Sequence, residues 1–502
     1  MDTIIGIDIG TTNIKAAIYN LAGRMVAFAT RKTITHHSKP QYSEFDAEEI
    51  WECVRGCLSE LAANPSCGNI QSIGISSFGE SSVLIGKDGK PLYPIISWYD
   101  HRAAEQANTI ESVIGKKELY GITGQFLSPK FGICKLLWIK DNVPEVFSKA
   151  YKCLAVHDYT IYRLTGIFAT DYSMASRMMC FDIRKCDWAR DILSTIGIPI
   201  RLMPEAHPGG TRIGMISSSI AASIGLKEGI SVFTGGHDHA CAAVAVNIFE
   251  DGVMLDSMGT AESTIVATQN IIDVGKGFDN QICVYPHFGS KPYRAITSMQ
   301  ACGATIEWFI RVFGALAVGA DNEDINIYEK LLIEATQSAD RIGDLMFVPH
   351  IRGLQENPLA KGAFIGIEDS CDRGSFIRAI SEGISFEMRR RIESCEQAFN
   401  TSYKTLRVVG GLSNSVRQMK IKAVITGKQI EIPECNEAAS YGAALLCAIG
   451  AGMIDEGTLS DMYHKRAVYL PENGEVAMAY EAKYHRYVKI QDDICRLYSS
   501  LG

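Results

Sequence analysis

The stretch Ile5-Gly6-Ile7-Asp8-Ile9-Gly10-Thr11-Thr12-Asn13-Ile14-Lys15 decides how the rest of the chain is read. Ile5, Ile7 and Ile9 alternate with Gly6 and Asp8, the period of a strand with one buried face. Gly10 to Asn13 supplies turn chemistry, and Ile14 to Tyr19 follows as a second strand. Asn20 to Gly23 turns the chain again, into a third strand over Met25 to Thr30. Further on, Asp46-Ala47-Glu48-Glu49 caps a helix running past Trp51 and Val54, with acidic residues in its first turn. Ile70 to Ile75 is a further strand, leading into Ser76-Ser77-Phe78-Gly79-Glu80. Strands alternating with helices predict an α/β architecture.

The opening pattern has an echo. Leu255-Asp256-Ser257-Met258-Gly259-Thr260 repeats an Asp on a strand, a Gly-Thr turn and a β-branched run, here Ser263 to Val266. Two related α/β halves facing a cleft are expected, divided near Asn247–Gly252, as residues 1–247 and 248–502.

Composition narrows the function classes. The 502 residues carry a formal charge of −8, so no broad positive field is available for a nucleic-acid backbone. Apolar residues make up 47% and charged residues 21%, the balance of an ordinary globular protein. The longest uncharged stretch, Ala438 to Ile454, has 17 residues rich in Ala, Gly and Ser, short of the ~20 a membrane span needs and suited to close packing. No basic segment precedes an apolar run at the N-terminus, so no signal peptide is expected. Fifteen scattered cysteines, none spaced Cys-x-x-Cys, fit reduced thiols in a cytoplasmic protein.

Four segments hold candidate chemistry. In the first, a Gly-Thr turn after Asp8 exposes amides and hydroxyls that suit phosphate oxygens, and Asp8 suits a hydrated Mg²⁺. The same residues also make an ordinary hairpin turn. A second Gly259-Thr260 turn across a cleft strengthens the phosphate reading. Next, Gly235-Gly236-His237-Asp238-His239-Ala240 joins a strand to a small-residue helix, which puts Asp238 near a helix N-terminus where the dipole favours an ionised carboxylate. Such a group takes a hydroxyl proton in phosphoryl transfer, though it also reads as a helix cap. A metal site on His237 and His239 is disfavoured, since the two are expected to point to opposite sides of an extended backbone. Trp98-Tyr99-Asp100-His101-Arg102 suits a polyhydroxylated ligand or a surface loop with a local ion pair. His157-Asp158-Tyr159 reads as a helix cap. Last, Val408-Val409-Gly410-Gly411 leaves a strand through glycines that let a base or ribose approach the backbone, while Asn436 to Ala444 reads as a helix with a bare packing face. No P-loop occurs, and Gly450-Ala451-Gly452 ends in Asp455 where a dinucleotide fingerprint needs a small residue.

Taken in order, these segments resemble the FGGY carbohydrate kinases, the glycerol kinase and xylulokinase group of the actin and hexokinase-like fold. The resemblance rests on Gly6 to Thr12, Trp98 to Arg102, Lys135-Leu-Leu-Trp138, Asp171 to Ser176, Gly236-His-Asp238, Gly259-Thr260, Gly362-Ala-Phe364 and Gly410-Gly411, and spans nearly the whole chain. It implies two ribonuclease H-like domains around a cleft holding ATP and a sugar. By matching positions it makes Asp238 the catalytic base and Asp8 the Mg²⁺-linked carboxylate. Thr11, Thr12, Gly259 and Thr260 would line the phosphates, and Gly303, Gly410, Gly411 and Asn414 the nucleoside. Gly79, Glu80, Trp98 and Asp100 would surround the acceptor.

Three positions depart from the glycerol kinases: Gly79-Glu80 stands for Arg-Glu, Lys130 for an aromatic, and His239 for Gln. Xylulokinases tend to carry Met-His where Gly79-Glu80 stands. The expectation is therefore an ATP-dependent kinase of a small sugar or polyol, xylulose-like or related. Its partners are small molecules, with neither nucleic acid nor membrane; a homodimer is allowed. The competing expectation is an actin-like nucleotide switch that phosphorylates no sugar.

Overall fold

In the computed structural model, which describes residues 2–313, 327–337, 343–354 and 357–501, the opening stretch forms strand β1 (Asp2–Ile9). Ile5, Ile7 and Ile9 are fully buried in one core with Trp51, Val54 and Leu58 of helix α1 (Ala47–Ala62), whose first amides are capped by the Asp46 carboxylate. Gly6 and Asp8 therefore share the opposite face of the sheet. β1 is antiparallel to β2 (Asn13–Asn20), and β2 to β3 (Met25–Lys32). On its other side β1 runs parallel to β4 (Asn69–Ser77). The edge strand β5 (Arg212–Met215) is antiparallel to β6 (Ser231–His237), which lies parallel to β4. The result is a six-stranded sheet in the order β5-β6-β4-β1-β2-β3. Helix α2 (Asp238–Ala245) leaves β6 directly.

The echo in the sequence is an echo in topology. β7 (Val253–Met258) is antiparallel to β8 (Glu262–Thr268), with Asp256 near the end of β7, just ahead of the Gly259-Thr260 turn. β9 (Cys283–Pro286) and β10 (Tyr293–Met299) extend this side, ahead of helix α3 (Gly303–Phe313). β7 also runs parallel to β11 (Thr405–Val409). After helix α4 (Val416–Thr426) come β12 (Gln429–Pro433), parallel to β11, then helix α5 (Ala438–Gly450) and β13 (Lys465–Tyr469). The seven-stranded order is β9-β10-β8-β7-β11-β12-β13. Each sheet thus starts with an antiparallel meander flanked by parallel strands.

The two sheets exchange helices. α2 follows the first sheet in sequence, yet Ala240, Ala243 and Val246 in and just after it share a core with Leu255, Ile265 and Ile296 of the second. Reciprocally, α5 lies in sequence between β12 and β13 of the second sheet yet packs on the first, where a Cβ at Gly6 would lie 1.9 Å from the Ser440 carbonyl oxygen. This is the close packing expected of the Ala438–Ile454 tract. α2 and α5 cross between the sheets, so the chain segment carrying Asp238 sits at the junction. All fifteen cysteines are free, and among the described residues no helix is long and apolar enough to cross a membrane.

Candidate active site

Asp238 is the first residue of α2. Its Oδ1 accepts the His239 amide at 2.6 Å, and its side chain remains 35% exposed at the crossing of the two helices. Burial pushes its carboxyl above the usual range, while His239 and the accepted amide pull the other way. Asp8 is half-buried and accepts one long hydrogen bond from Ser76 Oγ, 3.4 Å. Burial first and the Asp238 charge second push Asp8 up to about 7, against the pull of Lys15. The same Lys15 reaches across to Glu437 Oε2, 2.7 Å away, at the start of α5.

The two Gly-Thr turns are built differently. In the first, the Gly10 amide donates to the Asn13 carbonyl at 3.0 Å, and the Thr11 and Thr12 hydroxyls have no partner among the described residues. In the second, the Gly259 and Thr260 carbonyls accept the Gly303 and Cys302 amides at 2.9 and 3.0 Å, which docks the start of α3 onto the turn. The Gly303 amide is thereby committed to the protein. Beneath this turn Lys422 of α4 bridges Asp256 and Glu262, all three fully buried. Gly410 adopts φ 100°, and a Cβ there would lie 2.4 Å from the Met258 carbonyl oxygen, so only glycine fits. Gly411 is exposed with open space around it. Asn414 is exposed, with Oδ1 accepting from Arg466 at 2.8 Å and Nδ2 donating to the Gly411 carbonyl at 3.3 Å.

On the acceptor side the structure gathers Glu80, His237 and Asp238 around a residue the sequence reading did not single out, Arg177. Glu80 is buried in the left-handed region, φ 60°. Its carbonyl accepts from Lys135 Nζ at 3.0 Å. Arg177 Nη1 lies 3.2 Å from Gln125 Oε1 and 3.4 Å from Glu80 Oε1, and its guanidinium stands over the Tyr285 ring. A Cβ at Gly79 would meet His237 Cδ2 at 2.7 Å and Arg177 Cγ at 2.8 Å, so these two side chains fill the space a residue-79 side chain would need. Arg177 lies one residue past the Asp171–Ser176 motif. Only its position beside that motif could have flagged it. Burial lowers Lys135 to about 7 despite the nearby acids.

Two expectations need correcting. Asp100 does not offer its carboxylate to a ligand: Oδ1 accepts the Arg102 amide and Nε, both 2.9 Å, and Oδ2 accepts the Ser43 amide and Arg102 Nη2 at 2.8 and 2.6 Å. A carboxylate has about four acceptor positions, and all are used. Asp100 instead fixes the loop carrying Trp98, a residue 39% exposed whose ring meets Tyr99 edge-on. The second concerns His237 and His239. Because His239 is already in the first turn of α2, the strand geometry does not govern it, and the two rings meet at a centroid distance of 5.2 Å. The expected cap at His157-Asp158 is present, Asp158 Oδ2 accepting the Ala155 amide at 2.9 Å.

The FGGY family of carbohydrate kinases matches this chain twice, its N-terminal domain over residues 3–245 and its C-terminal domain over residues 254–451. A xylulose kinase of Lactococcus lactis subsp. lactis (strain IL1403) is 28% identical over 498 residues, covering 98% of this chain and 96% of that one. A glycerol kinase of Geobacter sp. (strain M21) is 28% identical over 472 residues, 92% of each. The fold matches a ligand-bound xylulose kinase from Lactobacillus acidophilus at TM-score 0.89, with 23% identity and 100% of both chains covered. A gluconate kinase from the same organism matches at 0.89 with 22% identity, again over 100% of both. With family matches on both halves and relatives spanning nearly its full length, the chain belongs to the FGGY family of carbohydrate kinases.

Proposed function

We propose that this carbohydrate kinase transfers the γ-phosphoryl group of ATP to a hydroxyl of a small ketose or polyol, with Asp238 as the base. The observation that carries the reading is the position of Asp238 at the crossing of α2 and α5, half-exposed and close enough to Asp8 for its charge to raise that carboxyl. Burial raises the Asp238 carboxyl above its usual range, which makes it a stronger proton acceptor than an exposed aspartate. In the step proposed, the acceptor hydroxyl gives its proton to Asp238, its oxygen bonds the γ-phosphorus, and the bond to the β-phosphate oxygen breaks to leave ADP. Thr11, Thr12, Gly259 and Thr260 would hold the phosphates from two sides. Gly411 and Asn414, both exposed beside β11, would face the nucleoside, with Gly303 and Gly410 shaping the turn behind them.

Asp8 fits an Mg²⁺ ion: it is a desolvated carboxylate with one long hydrogen bond, at the end of the strand that leads into the Thr11-Thr12 turn. That ion supplies charge neutralisation to the phosphates when bound. Glu80, Trp98 and Arg177 would orient the acceptor, and closure of the halves, which we divide at 247/248, would exclude water. Fifteen free cysteines agree with a cytoplasmic protein. The named relatives are kinases of xylulose, glycerol and gluconate; Gly79-Glu80 departs from the glycerol kinase and the xylulokinase patterns alike, so the acceptor proposed is a small sugar or polyol, xylulose-like or related. The nucleotide-switch alternative has no support from the family matches.

ADP release measured with pentoses, ketoses, polyols and sugar acids tests the reading. Acceptor-dependent ADP formation with a ketose or polyol is expected. Full-rate ADP release without any acceptor contradicts it.

A further inference from the structure

We propose that His237, Asp238 and His239 form a binding site for a borderline divalent transition-metal ion such as Zn²⁺, distinct from the Mg²⁺ position at Asp8, whose occupancy blocks phosphoryl transfer. Three donor atoms, one from each residue, lie within 4.8 Å of one another, the one such group found among the described residues. His237 is 6% exposed, and its Nδ1 has no hydrogen-bond partner although it stands 3.2 Å from Asp238 Oδ1. His239 Nδ1 is likewise buried without a partner. Two orphaned imidazole nitrogens aimed around one carboxylate are unusual, because a buried polar atom normally finds a partner.

The chemistry of the donors selects the ion. Two imidazoles and a carboxylate suit Zn²⁺, Ni²⁺, Co²⁺ or Cu²⁺, whereas Mg²⁺ prefers oxygen ligands and retained water. Around the site, Arg177 and Lys130 oppose a cation, and Glu80 and Asp8 favour one. The geometry arises because His237 ends β6 while His239 begins α2, so the chain turns both rings toward the carboxylate between them.

Binding rests on this geometry alone; the inhibition that follows rests on Asp238 being the base, and the two are read separately. The metal-free full-length protein is titrated with Co²⁺ and Zn²⁺ alone, by calorimetry and by visible and near-ultraviolet absorption. One equivalent is expected to bind without the thiolate charge-transfer band that cysteine ligation would produce. His239→Gln and His237→Gln are each expected to weaken binding by more than about 10-fold. In the kinase assay, Zn²⁺ is expected to raise the apparent KM of the acceptor and leave that of ATP unchanged. No binding, binding unchanged in both variants, or a thiolate band would overturn the site. If Zn²⁺ binds as expected but turnover is unaffected, the site stands and the assignment of Asp238 as base falls.

Discussion

A Cβ placed on Gly442 of α5 would lie 1.8 Å from the carbonyl oxygen of Cys241 in α2. The two helices that the halves exchange therefore touch backbone to backbone, and the contact lies one helical turn from Asp238. No side chain is available to give way, so an added methyl group must push the helices apart.

Gly442→Ala is accordingly expected to destabilise the fold by about 1–3 kcal/mol or more, the range for overpacking a tight interior. Chemical denaturation monitored by circular dichroism checks this. Turnover should fall as well, because α2 carries the base. Unchanged stability would mean the crossing is looser than described.

Asp8 gives a pH dependence with a definite sign. Its carboxyl is raised from the ordinary 3.8 to about 7, so the folded state holds a proton that the unfolded chain releases between those values. This group's contribution to stability is complete below 3.8 and lost as pH rises through about 7. Asp8→Asn removes the ionised form, and should stabilise the nucleotide-free protein at pH 8 far more than at pH 4. Melting temperatures at the two values decide it, with an equal shift at both counting against the burial of Asp8.

Lys422 tests the second turn. It is the built-in cation between Asp256 and Glu262, whereas Asp8, at the matching place in the first sheet, has no such partner. Removing the ammonium in Lys422→Met leaves two buried acids facing each other, a loss of about 3–5 kcal/mol by comparison with other broken buried pairs. The KM for ATP should rise and that for the acceptor should not. The combination with Asp256→Asn and Glu262→Gln should recover stability; failure to do so would show the triad is not the cause.

The sequence carried the strand meander, the cap at Asp46 and the start of α2 at Asp238, because each depends on near neighbours in the chain. The alternation of Ile5, Ile7 and Ile9 with Gly6 and Asp8 marked one face for a core, but not that α5 would cover the other, since that packing joins residues over 400 positions apart. The same holds for Arg177 filling the space beside Gly79, a contact nearly 100 positions long. Asp100 was misread as a ligand for a local reason: Trp-Tyr-Asp-His-Arg does not reveal that the Ser43 amide and the Arg102 amide, Nε and Nη2 converge on one carboxylate. The histidines of Gly-His-Asp-His were misjudged because the strand ends between them.

The central claim is that Asp238 takes the proton of the acceptor hydroxyl. The most direct test is product formation by ³¹P nuclear magnetic resonance with ATP and an unphosphorylated ketose or polyol that the unaltered protein accepts, comparing that protein with Asp238→Asn. A loss of about 10²–10⁴-fold in sugar phosphate formation is predicted, with ATP affinity kept within about two-fold by the turns that bind it, far inside the ten-fold that 1.4 kcal/mol represents. Sugar phosphate formed by the variant at close to the normal rate would contradict the account.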